Sequence, residues 1–419
     1  MSPAPSSARA LLVAPHLSYR TGAYIQAAET LGVSLTVAST AENALSNQGI
    51  KIDLNDADRS VKVLVDAASR FQFDGILATD DATVEVASRV ASELGLPHNP
   101  ASAARLSRRK DLSREAMAAA ELSVPEFTLF EIADASASLL RLGWTEWPAV
   151  IKPLAWSGSR GVMRVNDAHE FIACATRLRS LLSADRPSNP FEANYALLES
   201  FIPGVEVAFE GLMRHGTLVP LALFDKPDPL DGPFFEETYY VTPSRKDQQT
   251  QALILNTVER ACAAFGLHHG PVHAEMRINQ DGVWPLEIAA RTIGGDCARL
   301  LKFGSGYGLE ELVLANAVGL ELETTTAGGA GGVLMLPIER RGILRRVEGV
   351  MGAQKVEGIE DVHIALNAGQ ELVPLPDGAS YLGFVFARGS TPNEVERALR
   401  HAHRHLNVVV APRIDVTVV

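Results

Sequence analysis

The sequence predicts a multidomain chain of mixed α/β and α+β class, and three observations carry that expectation. Short apolar runs alternate with helix-length segments over the first hundred residues. A glycine- and serine-rich loop at residues 155–161 separates two short strands, and a hairpin pattern at residues 272–289 places two glutamates at facing positions. Strand–helix alternation implies a parallel, doubly wound sheet, whereas strands joined by tight turns imply antiparallel pairing.

Composition narrows the function classes. A length of 419 residues accommodates two or three domains. The net charge of −12 argues against a nucleic-acid footprint, and the basic run at residues 105–110 is too short to reverse that. The three cysteines, Cys174, Cys262 and Cys297, are odd in number and lack metal-ligand or redox spacing, which fits a reducing cytoplasm. The start, MSPAPSSARA, has neither the cationic end nor the apolar core of a signal peptide, and its first eight residues read as a disordered tail. No apolar run approaches the roughly 18 residues of a membrane helix, so no membrane partner is expected.

In chain order, residues 11–15, 33–39 and 74–79 read as buried strands, with helices at 20–31 and 59–71 between them. The first turn, PHLSYRTG, lacks the G-x-G-x-x-G of a dinucleotide site, which argues against a dehydrogenase. Asp80 and Asp81 stand where the third strand ends, an edge at which such sheets bind ligands, and capping the next helix is the favoured role. A helix expected at 107–120 carries Arg108, Arg109, Lys110 and Arg114 in its first two turns, against the macrodipole. Either an anionic ligand or a solvated basic face accounts for that placement.

Residues 148–153 read as a strand ending near Lys152, followed by the glycine loop and a second strand at 162–165. Glycines let backbone N–H groups approach phosphate oxygens, and a plain hairpin turn is an equal reading. Strands on either side of a tight turn at Pro203-Gly204 put Glu199 and Glu206 at its two ends, as acceptors for an adenine amine and a ribose hydroxyl or as solvated groups. A further strand ends in Asp225 and Lys226. Glu236 and Glu237 beside Tyr239 and Tyr240 suggest a pocket for an amino-bearing substrate, or an exposed loop. The helix at 248–265 is amphipathic and packs on the sheet. Beyond a helix at 309–318, the run AGGAGG at 327–332 reads as a flexible linker or turn, and the remainder as a small capping α+β domain with one helix, 392–405. His268, His269 and His273 have no second group at zinc spacing, so a satisfied structural role is favoured.

The hairpin carries the most chemistry. A three-residue or bulged five-residue loop centred on Asp281 brings Glu275 opposite Glu287, where like charges repel unless a cation lies between them. Mg²⁺ takes one or two carboxylates and leaves its other positions to water and phosphates. Arg291 follows four residues after Glu287, ahead of Gly294-Gly295-Asp296. A metal pair beside a planar cation suits phosphoryl transfer; two solvated glutamates on an exposed hairpin is the other reading.

The ordered set VIKP (150–153), the glycine loop, ESFIPGVEV (199–207), HAEMRI (273–278) and PLEIAAR (285–291) resembles the ATP-grasp carboxylate–amine ligases. Within them the chain looks most like the bacterial L-amino acid ligases that make dipeptides, and more distantly like the carboxylases and purine-pathway enzymes. The resemblance implies an ATP-grasp fold: a Rossmann-like N-terminal domain (1–105), a two-lobed core with ATP between the lobes (106–330), and a C-terminal α+β lid domain (331–419). It implies ATP with Mg²⁺, or Mn²⁺ in its place. Lys110 and Lys152 match the lysines that hold the phosphates, and Ser157, Gly158 and Gly161 match the loop that closes over them. Glu199, Ser200, Phe201 and Ile202 match the adenine hinge, and Glu206 the ribose contact. Glu275 and Glu287 match the metal ligands. Arg291 with Gly294 matches the group that steadies the acyl phosphate, Lys226 being the next candidate for that role, and Glu237 matches a substrate-side glutamate.

By the same resemblance the partners are small carboxylate and amine substrates, amino acids foremost, and a second copy of the chain in a homodimer. An acid attacks ATP to give an acyl phosphate and ADP, and an amine then displaces phosphate. Two departures stand out. The family's asparagine two residues after the second metal glutamate is Ala289 here, and its E-T-G-H is Glu237-Thr238-Tyr239-Tyr240. The rival readings are a purine-pathway or carboxylase-like ligase and a non-catalytic nucleotide-binding regulator, the latter supported by Ala289.

Overall fold

Strands Arg9–Ala14 and Gly75–Ala78 are apolar after Arg9, and Ser34–Ser39 sets Leu35, Val37 and Ala38 among small hydroxyl residues, as suits a sheet covered on both faces. They pair in parallel, with Ile50–Lys51 at one edge and Gly75–Ala78 at the other. The computed structural model describes residues 8–16, 18–41, 49–304, 306–325 and 328–413. The expected N-terminal tail lies outside these, apart from Ala8. Among the described residues no helix is long and apolar enough to cross a membrane.

The helix expected at 107–120 is two helices, Ala101–Arg108 and Lys110–Ala119, broken at an extended Arg109. The break lets the Lys110 N–H donate to the Leu154 carbonyl and lets Arg109 pair with Asp111. The basic face is therefore not solvated: Arg114 is 1% exposed.

Two sheets frame the centre. A small antiparallel sheet runs Phe127–Glu131, Tyr195–Ser200, Ala149–Pro153, Met163–Val165, and an eight-stranded sheet begins Gly282–Ala289, Gly270–Asn279, Val205–Arg214, Thr217–Lys226, Tyr239–Thr242. Tyr195–Ser200 and Val205–Arg214 thus lie in different sheets, and Pro203-Gly204 closes no hairpin; residues 201–204 are a hinge between the two lobes. Gly204 holds φ at +127°, and a Cβ there would stand 2.3 Å from the Ile278 carbonyl oxygen, so only glycine lets the hinge lie this close to the large sheet.

The glycine run also corrects its sequence reading. Ala327 lies outside the described residues, but Ala330–Leu336 is a fully buried strand between Tyr239–Thr242 and Gly383–Gly389. A Cβ on Gly332 would meet Val395 at 2.6 Å and Leu399 at 3.0 Å. Gly332 serves close packing of helix Pro392–His405 on the sheet. Residues 330 and 331, expected at a domain boundary, fall inside one strand. The C-terminal segment adds Ala330–Leu336, Gly383–Gly389 and Ile359–Ile364 to the eight-stranded sheet and builds a three-stranded sheet of its own. Its turn at Pro374–Gly378 reaches the glycine loop, where the Gly161 N–H donates to the Pro376 carbonyl. On the other side, Ala10, Leu12 and Tyr24 of the N-terminal domain share one apolar cluster with Phe224, Phe303 and Leu312, which seats that domain against the large sheet.

Candidate active site

The hairpin reaches its facing glutamates by an unexpected route. Asn279 pairs with Gly282, so the loop is only two residues long, and that register alone would set Glu275 opposite Leu286. A bulge at Leu286 shifts the strand by one and puts Glu287 opposite Glu275. Both side chains open on a cavity of about 710 Å³ between the two lobes and the N-terminal domain.

Because side chains alternate along a strand, the cavity face of the large sheet carries three rows. Glu210 stands opposite His273, which stands opposite Ala289; Ala208 opposite Glu275, opposite Glu287; and Lys226 opposite Glu206, opposite Arg277. In the first row, Glu210 is fully buried, accepts the Ile293 N–H at 3.2 Å and holds His273 Nδ1 at 3.2 Å, while His273 Nε2 lies 3.5 Å from Glu275. Burial opposes charge on His273, but hydrogen bonds to Glu210 and Glu275 raise its pKa to about 9, so at neutral pH the ring donates from both nitrogens. His273 belongs to this site and not to the cluster with His268 and His269. Period-two alternation, which puts 273 on the face of 275, was the signal for it.

The third row carries a buried ammonium. Lys226 is 2.7 Å from Glu206 and 3.1 Å from Glu275, and it also pairs with Glu237. Burial disfavours its charge, yet Glu206, Glu237 and Glu275 raise its pKa well above the usual lysine value. Glu206, Glu237 and Glu275 together could chelate a cation, and Lys226, with Arg277 on Glu206 and His273 beside Glu275, offsets their charge in this arrangement. Glu275 and Glu287, facing each other at the cavity wall, also offer hard oxygen donors that a metal ion could share. Ala289 adds no donor to them. Burial and the Glu275 charge push the Glu237 carboxyl up to about 7. Glu236 instead turns away to accept the Ile338 N–H.

Across the cavity, the small sheet and helix Lys110–Ala119 bring another charged group. Arg114 donates to Glu199 at 3.0 Å, and Lys152 pairs with the same carboxylate. Burial alone would raise the Glu199 carboxyl, but Arg114 and Lys152 outweigh it and hold it at about 2. The Glu199 carboxylate is thus a structural counter-ion in this arrangement. Lys110 donates to the Trp156 carbonyl at 2.5 Å, anchoring the glycine loop, whose Arg160 stacks on Trp156 and donates to the Asp377 carbonyl. Phe201 of the hinge stacks with Phe235, and the Arg277 guanidinium lies over both rings. These rings, with Val150, Ile202 and Leu286, make an apolar slot for a flat heterocycle.

At the far side lies Arg291, 8% exposed. Its Nε donates to Asp81 at 3.0 Å, its Nη2 to Glu287 at 3.1 Å and its Nη1 to the Thr292 carbonyl at 3.2 Å. Of the site residues that the resemblance implies, all but Gly161 and Lys226 line this cavity; Gly161 anchors the loop from behind and Lys226 lies beneath the carboxylates. Tyr19, Arg20, Phe235 and Tyr381 also line it and carried no motif that would have marked them.

Known proteins resemble the chain over most of its length. The ATP-grasp domain family matches residues 145–299, the ATP-grasp N-terminal domain residues 25–98, and the L-amino acid ligase C-terminal domain 2 residues 334–411. The alanine–anticapsin ligase of Bacillus subtilis (strain 168) is 25% identical over 274 residues, covering 61% of this chain and 56% of that protein. Carnosine synthase 1 of Gallus gallus is 29% identical over 251 residues, covering 58% and 27%. The chain therefore spans about half, or less, of the length of these two relatives. The crystal structure of an L-amino acid ligase from Bacillus licheniformis superposes with a TM-score of 0.83 at 25% identity, over 97% of this chain and all of that one. A phosphoribosylglycinamide synthetase from Anaerococcus prevotii, at 16% identity and TM-score 0.66, shares the fold, with 97% of this chain and 100% of that one covered. In this order along the chain the matches lay out an ATP-grasp N-terminal domain, an ATP-grasp domain and the C-terminal domain 2 of the L-amino acid ligases, on an ATP-grasp fold.

Proposed function

We propose that the chain joins a carboxylic acid to an amine, two amino acids foremost, by way of an acyl phosphate, with ATP converted to ADP and phosphate. The observation that carries the reading is the pairing of Glu275 with Glu287 at the wall of one cavity, with Arg291 bonded to the second glutamate and Lys152 on the opposite lobe. The apolar slot between Phe201 and Leu286 takes adenine, and Glu206 the ribose. Lys110, Lys152 and the loop of Ser157, Gly158 and Gly161 hold the phosphates. Glu275 and Glu287 would hold Mg²⁺ or Mn²⁺, which supplies charge neutralisation on the phosphate oxygens.

The acid's carboxylate oxygen attacks the γ-phosphorus, forming an O–P bond as the bond to ADP breaks. The amine nitrogen then attacks the carbonyl carbon, and the C–O bond to phosphate breaks. Arg291 stabilises the charge on the acyl phosphate, and the backbone at Gly294 seats the acid; Glu237 accepts the proton that the amine sheds. Positioning and charge carry most of the catalysis in such a transfer. Water must be kept from the acyl phosphate, and the contacts of Gly161 and Arg160 with residues 376–377 close the glycine loop over the site. Tyr240 and Tyr381 narrow the amine side.

The test is a screen of phosphate release across pairwise mixtures of amino acids and small amines, with product masses recorded. Release that requires one acid and one amine, with the mass of their amide, supports the reading. Release that responds only to formate or bicarbonate with a ribosyl amine sinks it in favour of the purine-pathway alternative, and no release with any pair favours a nucleotide-binding regulator.

A further inference from the structure

We propose that Asp81, in the N-terminal domain, is a positioning residue for the reaction, holding the Arg291 guanidinium in the plane from which it meets the acyl phosphate; this rests on the ligase reading above. Arg291 stands on the segment leaving the metal hairpin, and its other two acceptors, Glu287 and the Thr292 carbonyl, lie on the same segment. Those two travel with Arg291 and cannot fix it relative to the rest of the cavity. Asp81 can, because it comes from the opposite domain, 210 residues away in sequence, and takes the Nε–H that defines the guanidinium plane. Three of the five guanidinium N–H groups are engaged. The two left over supply the fork that a phosphoryl group needs.

Helix capping does not account for Asp81. The position before the helix belongs to Asp80, whose carboxylate is shared by Ser18, Thr79 and Arg20. Arg20 makes the reciprocal link, donating from the N-terminal domain to the Thr292 and Ile293 carbonyls at 3.4 and 3.2 Å. Two arginines thus cross the domain boundary in opposite senses and pin residues 291–293 from both sides. The arrangement also has a consequence for Glu287. That carboxylate serves Arg291 and is a candidate metal ligand, so when it turns to a cation, Asp81 is the charged partner that keeps Arg291 in register. A misplacement of about 1 Å at a reacting group costs on the order of 10²-fold in rate.

The experiment uses the full chain with ATP, Mg²⁺ and an acid that stimulates ADP release, and traps the acyl phosphate with hydroxylamine. Hydroxamate rate, KM for the acid, ATP affinity by calorimetry and melting temperature are recorded for wild type, Asp81→Ala and Asp81→Asn. Asp81→Ala is expected to lower the hydroxamate rate about 10²-fold with ATP affinity unchanged within about twofold. Asp81→Asn, which keeps an acceptor without the charge, should recover part of the loss, a split that general damage to the fold would not give. A hydroxamate rate for Asp81→Ala near that of wild type overturns the assignment, as does a loss matched by an equal loss of ATP affinity. Should Asp81→Ala fail to fold, Asp81→Asn decides: a rate below wild type with ATP affinity kept supports the role, and an unchanged rate overturns it. Absence of hydroxamate from the wild type overturns the ligase reading and this one with it, whereas equal trapping by wild type and variants overturns this one alone.

Discussion

The two ends of the cavity are built differently. At the end we assign to the nucleotide, Glu199 is clamped by Arg114 and Lys152, and the group is sealed, with Glu199 2% exposed. At the end we assign to the acyl group, Arg291 is held by Asp81, which belongs to a separate parallel-sheet domain. Fold stability should therefore depend heavily on the first group and chemistry on the second. Substitutions at the two ends ought to separate in what they damage.

The largest effect is expected on stability, at the nucleotide end. Glu199→Gln leaves two buried cations without their counter-ion, which costs about 3–5 kcal/mol, read by urea unfolding at pH 7. The pH dependence follows from the wild-type carboxyl, held at about 2 against an ordinary 4.5. Protons therefore bind the unfolded chain first, so the stabilisation is complete above about 4.5 and is lost as pH falls toward about 2. The gap between wild type and Glu199→Gln should narrow across that window. A gap that is constant from pH 6 to pH 3 would remove the ion cluster as its cause.

Next comes the acyl end, where the effect should fall on rate alone. Arg291→Lys keeps a charge but loses the planar fork, and hydroxamate formation should drop about 10²–10³-fold, the usual cost of losing one stabilising donor. Its ATP affinity and urea midpoint should stay near wild type. An Arg291→Lys variant with unimpaired trapping would move the stabilising role to another cation, Lys226 first. The smallest effect is predicted for Lys152→Ala. Glu199 keeps Arg114, so the fold survives, and nucleotide affinity should fall by the roughly 1.5–3 kcal/mol of a charged hydrogen bond. Calorimetry that shows unchanged affinity would take Lys152 out of the nucleotide site.

The same contrast explains what could be read from the sequence. Residues placed by their own strand or turn were legible: alternation put Glu275 and Glu287 face to face, and helix Gln248–Phe265 matched its pattern at both ends. Even there the route differed, because a two-residue loop with a bulge at Leu286 does what a longer loop was expected to do. Contacts set by tertiary packing were not legible. Pro203-Gly204 carries the local chemistry of a hairpin turn, and nothing local says that its flanking strands join different sheets. Gly332 looks flexible in isolation, yet it is small so that helix Pro392–His405, far along the chain, can approach. Asp81 was visible as a helix-start acid, while its partner Arg291 lies 210 residues away.

The central claim, that the acid is activated by direct transfer of phosphorus to its own oxygen, is tested most directly by following that oxygen. An acid labelled with ¹⁸O in its carboxylate, turned over with ATP and the amine, should yield phosphate carrying one labelled oxygen per turnover, because the attacking oxygen leaves with phosphorus when the C–O bond breaks. Unlabelled phosphate, with both labelled oxygens left on carbon-containing species, would contradict an acyl phosphate and with it the roles of Arg291, Glu275 and Glu287 in forming one.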